Sequence, residues 1–483
     1  MTLDLFLDLV LLAALLGLGA LVARTLLGTW EPTRIAALAF PIGSGVLTWL
    51  VFLGSWLGLR VALVNVALIL GIPVAICLWF LGLQKRRSDH ATPDPKASSP
   101  AQGRSSPWLV GSLGALALLW WAGNAYLSVA GSYSVWDSVA IWSLKGYAIA
   151  REGSVFAART WGAHGLAYPL NNPLLISLFT LAGGDPLPGS KVLFPLYFAS
   201  LLIGVYGFGR TWGLRREVAG LAVLFVASIP VLYKESTTGY ANVPMTACLV
   251  LGGLTVLEGA KASSIGKLLT GGALLGLASW IRVEGVLYAA AILVSGLIAI
   301  AFFDRARSKW LWAVVPLVVI VGPWLAFYRL YGAGSSQAMG SVSLALEAFR
   351  SGQWHLGPLR LIVQEVIRSM WDIKSWGWVW PLSVILAGLL YRRASRAGRA
   401  GFLAAAAMGG GGALTTIVLF YISSFGNSLS TWLATTFGRE LLPVPLLVFA
   451  AILPLLAPAF RTDPDGLQTR NQQPPGAERE PSA

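Results

Sequence analysis

At 483 residues, with 56% hydrophobic and only 12% charged residues and a mean hydropathy of +0.70, the chain carries more apolar surface than a water-soluble fold can hide. The formal charge of +14 does not mark a nucleic-acid binder, because the basic residues sit in short clusters beside apolar runs and not along one soluble face. Cys77 and Cys248 lie far apart inside apolar segments, which indicates neither a disulfide framework nor a metal knuckle.

Apolar runs of about 15 to 25 residues, separated by short polar breaks, match a hydrocarbon core of roughly 30 Å crossed at about 1.5 Å per helical residue. They lack the period-two alternation of a barrel. The opening MTLDLFLDLV carries Asp4 and Asp8 and lacks the basic region of a secretory signal, so it reads as a retained first helix. Helices are expected over 5–27, 35–57 and 61–83, a three-helix N-terminal unit spanning 1–83. The Ser-, Pro- and charge-rich stretch 84–107 reads as a disordered cytoplasmic linker. A membrane domain over 108–460 is expected to cross at 108–130, 190–209, 217–233, 243–258, 268–281, 285–303, 310–331, 376–391, 401–422 and 441–459. The tail 461–483 has no apolar periodicity and reads as disordered and cytoplasmic. The expected fold is an all-α polytopic membrane protein with about thirteen transmembrane helices.

The dense basic breaks are Lys85-Arg86-Arg87, Arg210 with Arg215-Arg216, Arg305 to Lys309, and Arg392-Arg393 with Arg396 and Arg399. All fall on one side of these spans, which assigns that side to the cytoplasm. The breaks 131–189, 332–375 and 423–440 then lie outside. The first contains PLLISLFTLAGG, too short to cross, and is expected to hold interfacial helices along the membrane surface. Trp121, Trp136, Trp142, Trp161, Trp376, Trp378 and Trp380 suit the headgroup layer.

If the segment following the 108–130 crossing is α-helical, Asp137, Ile141, Leu144 and Ala148 share one face and Lys145 sits beside it. A carboxylate is then held at the membrane surface near a cation, either as a helix cap or as a chemical group. Four more polar breaks fall on the same side: Tyr168-Pro169-Leu170-Asn171-Asn172-Pro173, Lys234-Glu235 through Tyr240-Ala241-Asn242-Val243-Pro244, Arg282-Val283-Glu284-Gly285, and Gly438-Arg439-Glu440-Leu441-Leu442-Pro443. His164, in the first outer loop, is a substrate contact or a surface histidine, and His90 and His355 are assigned to loops. No His/Cys/Asp cluster has the spacing of a structural zinc site. Gly409 to Gly412 lacks the context of a phosphate loop and reads as close helix packing.

In order and wording these breaks resemble the GT-C class of membrane glycosyltransferases, the broad family that includes protein mannosyltransferases and aminoarabinose transferases, over roughly residues 108–460. Such proteins show an acid in the first large outer loop, a Tyr-Pro turn before a short apolar helix, a YA(D)VP break, an R-x-E-G break and a late R-x-LLP segment. Asp137, Tyr168-Pro169, Tyr240 to Pro244, Arg282 to Gly285 and Arg439 to Pro443 match them here. The chain departs at Asn242, where relatives carry an acid, and in its N-terminal crossings, which the resemblance does not cover.

The resemblance implies a polyprenyl-phosphate sugar as donor and a lipid, glycan or protein as acceptor, at the outer face of the inner or plasma membrane, among membrane lipids and without nucleic acid. In an inverting single displacement one carboxylate suffices to take the acceptor's proton, and Asp137 is the candidate. Lys145, Lys234, Arg282 and Arg439 are candidates for the leaving phosphate, the two arginines alternatively pairing with Glu284 and Glu440. His164, Tyr168, Asn171, Glu235, Tyr240, Asn242 and Glu284 are candidates for substrate contacts. Glu235 also leaves a divalent metal ion open, with no cofactor otherwise indicated. Two other classes remain: a transporter or flippase for a lipid-linked sugar, which needs broken helices paired across two halves, and a non-catalytic membrane subunit.

Overall fold

The computed structural model describes residues 3–28, 31–89 and 106–457, except 132, 134, 163, 184–188, 301–308, 333–336, 354–355 and 426–427, and without the side chains of 84–89, 297–300 and 337–342. His90, His355 and the tail expected over 461–483 fall outside it. In chain order the helices are Leu3–Leu27 (α1), Pro32–Trp56 (α2), Leu63–Asp89 (α3), Pro107–Ala130 (α4), Leu144–Glu152 (α5), Asn171–Gly183 (α6), Leu193–Thr211 (α7), Arg216–Ala227 (α8), Pro230–Glu235 (α9) and Asn242–Ala262 (α10). Then follow Ile265–Ile281 (α11), Gly285–Ile300 (α12), Leu311–Tyr331 (α13), Gln337–Arg350 (α14), Leu356–Met370 (α15), Ile373–Trp376 (α16), Val379–Leu390 (α17), Arg396–Ser423 (α18), Leu429–Glu440 (α19) and Pro443–Leu456 (α20).

The fold is an all-α polytopic membrane protein. Among the described residues, 9 helices are long and apolar enough to cross a bilayer, α19 and α20 counting as one, while α11, α17 and the Gly285–Gly296 part of α12 are shorter apolar pieces. A count of thirteen full crossings therefore does not follow from length. The expected span 217–233 shows why: Pro230 holds Ile229 extended, at φ −67 and ψ 113, so the helix stops at Ala227 and restarts as α9. Helix α10 is the hub, with its whole apolar window buried against neighbours, whereas the windows of α3 and α4 are only 11% and 17% buried. Leu, Trp and Phe side chains on those outer helices face outward, as lipid-facing surface does.

Among the described residues, the N-terminal helices expected as a unit over 1–83 pack onto the rest of the bundle. Helix α2 lies in the core: Ser44 Oγ meets the Tyr197 hydroxyl at 2.8 Å, and Thr48 Oγ1 accepts from Asn171 Nδ2 at 2.8 Å and from Trp280 Nε1 at 3.1 Å. At its other end Arg34 donates to Thr211 at 3.0 Å and pairs with Glu258 of α10. Helix α1 crosses α2 where a Cβ on Gly43 would run into the Leu15 carbonyl, so only glycine permits that approach. Helix α3 continues to Asp89, into the stretch expected as a linker from 84. Within the run Gly409 to Gly412, Gly409 packs against Val448, Gly411 against Ser295 and Gly412 against Val444, while Gly410 faces open space.

Helix α6, which contains PLLISLFTLAGG up to Gly183, is sheathed by protein. Trp142, Trp376 and Trp380 are buried in packing, while Trp136, Trp161 and Trp378 are exposed as a headgroup position requires.

Candidate active site

The chain leaves α4 at Gly131 and re-enters helix at Trp136, two residues before an irregularity. Ser138–Ser143 forms a π turn, in which the Leu144 amide reaches back to the Val139 carbonyl. The wider turn shifts the face expected from α-helical spacing: Leu144 turns outward and Lys145 inward, alongside Trp142 and Ile149. Asp137 sits at the N-terminal edge of this turn, part-exposed. Gly146 lets α5 approach the Pro173 carbonyl and Ile176 of α6 closely, which holds the segment down.

Asp137 Oδ2 lies 2.8 Å from Arg439 Nη2, a contact between residues on α19 and the first loop. The Arg439 guanidinium stacks over Tyr240 at 4.1 Å, while its Nε is buried without a hydrogen-bond partner among the described residues. Glu235 is buried close by. Burial raises its pKa, opposed by the charges of Arg439 and Lys234, and Lys234 itself is exposed.

Behind this pair lies a second cluster. Arg282 caps α11 in extended conformation, which turns its side chain into the bundle. Its Nε and Nη2 donate to Glu284 at 3.1 and 2.9 Å, Nη2 also reaches Glu440 Oε1 at 2.9 Å, and Nη1 donates to Asn242 Oδ1 at 2.7 Å. Burial alone would raise the Glu284 carboxyl, but the Arg282 charge and hydrogen bonds bring it below its ordinary value. Asn242 Nδ2 donates to Glu440 Oε1 at 3.1 Å and to the Arg439 carbonyl at 3.3 Å. The Tyr288 hydroxyl donates to the Glu440 carbonyl at 2.8 Å and meets Thr416 at 2.7 Å.

The expected residues thus distribute unevenly. Tyr168 lies 5.9 Å from the Arg282 guanidinium and packs edge-on to Trp142 and His164, so Asp137 and the other four breaks converge through direct contacts. His164 adopts a left-handed backbone at φ 61, between Trp136 and Tyr168; burial, then Lys145, lowers its pKa against the pull of Asp137. Lys145 is fully buried with no hydrogen-bond partner for Nζ among the described residues, and burial lowers its pKa to about 7. Gly162, at φ +83, lies across its stem. Asn171 is directed elsewhere, into the core against Thr48. Arg282, a candidate for the phosphate, directs four contacts to Glu284, Glu440 and Asn242. Tyr288 is not among the expected residues, and Glu440, expected as an ion-pair partner for Arg439, pairs with Arg282 instead. Glu440 is adjacent to Arg439 in the motif, and Tyr288 stands one helical turn after Glu284, which is the signal that could have found it.

Lys309 and Arg396, the described ends of two of the basic breaks, lie at the opposite end of the bundle. Helix α10 runs from Asn242 at the site to Ala262, next to Ser263, whose carbonyl receives Lys309, and α18 runs from Arg396 to the Thr416 contact. Among the described residues no group of three or more His, Cys, Asp or Glu is placed to hold a metal ion. Asp137 is turned to Arg439, and Glu284 and Glu440 to Arg282, while Glu235 keeps a buried carboxylate oxygen without a hydrogen-bond partner among the described residues.

Residues 169–327 match the family model described as dolichyl-phosphate-mannose-protein mannosyltransferase. The chain resembles the GT-C membrane glycosyltransferases. The stretch matched to this GT-C family holds Pro169, Tyr240 to Pro244 and Arg282 to Gly285; Asp137 and Arg439 lie outside it. A solved structure, ArnT from Cupriavidus metallidurans bound to undecaprenyl phosphate, is similar over 74% of this chain and 79% of that one, at 12% identity and a TM-score of 0.37, a likeness that carries no residue correspondence. No curated protein matches the chain.

Proposed function

We propose that this protein transfers a sugar from a polyprenyl-phosphate donor to an acceptor at the extracytoplasmic face of the inner or plasma membrane, by a single inverting displacement. The observation that carries the reading is the 2.8 Å contact between Asp137 and Arg439, which joins the acid of the first loop to the guanidinium of the last break. The acceptor's nucleophile attacks the anomeric carbon, the bond from that carbon to the phosphate oxygen breaks, and polyprenyl phosphate leaves with the electron pair. Asp137 takes the acceptor's proton, and Arg439 meets the negative charge gathering on the phosphate.

The resting ion pair gives this chemistry an order. Each group neutralises the other until an anionic phosphate competes for Arg439, and a carboxylate released in that way is free to act as a base. Tyr240, Tyr168 and His164 line the approach with aromatic faces and hydrogen-bonding tips suited to a sugar. Lys145 and Lys234 are the remaining cations for the phosphate, Lys234 exposed and Lys145 buried against Gly162. Arg282 serves as an organiser of the site. The N-terminal helices act as part of the same scaffold, through Thr48.

The test is transfer from a labelled polyprenyl-phosphate sugar in proteoliposomes. Wild-type protein is expected to transfer the label to an acceptor, and Arg439→Ala to lose most of that transfer. Movement of the label across the bilayer without transfer would replace this reading with a flippase.

A further inference from the structure

Arg439 leaves α19 with its guanidinium turned to Asp137 and Tyr240, but those contacts do not fix the backbone from which it hangs. Both carbonyls at that point are held from behind, that of Arg439 by Asn242 and that of Glu440 by Tyr288. The Glu440 side chain completes a closed ring: its Oε1 accepts from Asn242 Nδ2 and from Arg282 Nη2, and Asn242 Oδ1 accepts from Arg282 Nη1. Neutralising Arg282 does not require Glu440, because Glu284 already meets that guanidinium through two oxygens. The second carboxylate instead ties the end of α19 to the start of α10 and to the turn between α11 and α12.

We propose that Glu440 is a positioning residue that, through Asn242 and Arg282, aims Arg439 at the donor's phosphate; this rests on the phosphate role given to Arg439 above. The same ring accounts for an amide at 242. A carboxylate there would put a third acid on Arg282 and would offer no N–H to Glu440 or to the Arg439 carbonyl, leaving buried acceptors facing one another.

The experiment measures binding of a fluorescent short-chain polyprenyl monophosphate to the full-length protein in detergent, with the melting temperature followed in parallel. Glu440→Gln and Asn242→Asp are each expected to weaken binding by about 10- to 100-fold, the range for a misplaced binding group. The paired exchange N242D/E440Q keeps the number of charges and rebuilds the side-chain bond with donor and acceptor exchanged, but not the bond to the Arg439 carbonyl, so it is expected to bind more tightly than either single variant and less tightly than wild type. Adding Glu440→Gln to Arg439→Ala is expected to cost nothing further, since the two act through one contact. If Glu440→Gln does not fold, Glu440→Asp tests the same point, keeping the charge and shortening the reach. Wild-type affinity in the Glu440 variants, with binding lost in Arg439→Ala, overturns the positioning role and leaves the phosphate role standing. Additive losses in the double variant also overturn it, assigning Glu440 to general stability. Wild-type affinity in Arg439→Ala overturns the phosphate role and this inference with it.

Discussion

Replacing Asp137 by Asn keeps the outline of the side chain and removes its charge, and the geometry gives this change two effects of opposite sign. Turnover falls by about 10²- to 10⁴-fold, the usual contribution of a positioned general base. Affinity for the phosphate rises, because the carboxylate no longer holds Arg439. The contact is 2.8 Å long between side chains 22% and 11% exposed, so it lies between an open surface pair and a buried one. An exposed pair is worth about 0.2–1 kcal/mol and a charge-assisted hydrogen bond about 1.5–3, and an intermediate value of about 1.4 kcal/mol corresponds to roughly tenfold tighter binding. Both quantities are accessible in one preparation, by transfer in proteoliposomes and by titration with the fluorescent polyprenyl monophosphate. An Asn variant that turns over at the wild-type rate, or that binds the monophosphate more weakly than wild type, would refute the reasoning.

Other expected outcomes follow from the scaffold. Lys145→Met should raise the melting temperature: the buried amine has its pKa lowered to about 7 from an ordinary 10.5, so the unfolded chain holds more protons between those values and native stability rises with pH across that window. The gain from Lys145→Met should therefore be greatest below about pH 7 and fade toward about pH 10.5, as read by scanning fluorimetry; a gain independent of pH would show that Lys145 does not titrate there. Glu258→Gln removes the buried partner of Arg34 and leaves it the half-exposed Glu31, so it should cost less than the about 3–5 kcal/mol of a fully unpaired buried charge, and an apolar replacement of both Arg34 and Glu258 should restore most of it. Gly43→Leu forces α1 away from α2, by more than the about 1–3 kcal/mol of ordinary overpacking, and is checked by loss of the folded species on size exclusion.

Much of the bundle is legible in the sequence because length and apolarity alone define a crossing, and every expected span holds helix. Which side of each helix meets protein is not legible, since lipid tails are as apolar as leucine and exert no selection between an outward and an inward face. That is why α2 reads as part of a separate unit although Thr48 and Arg34 reach across the core, and why Trp142 and Trp376 read as headgroup residues although both are enclosed. The five polar breaks are legible as departures from apolar runs. Their internal wiring is not, because the π turn after Asp137 leaves no mark on sequence periodicity and moves Lys145 to a different face. The division of labour between Arg282 and Arg439 depends likewise on which acids stand opposite, a matter of tertiary contact and not of spacing.

The polar side chains of α2 also bear on how the protein is made. Arg34 and Thr48 enter the bilayer early, yet their partners Thr211, Glu258 and Trp280 are translated 177 to 232 residues later. Until those segments arrive, Arg34 has Glu31, three residues before it, and Thr48 has the Ser44 and Gly45 carbonyls of its own helix, and hydrocarbon adds no hydrogen bond to either. Synthesis therefore passes through a stage in which the second helix is inserted but incomplete, and mistranslation or truncation downstream of it should expose an arginine for recognition by membrane quality control.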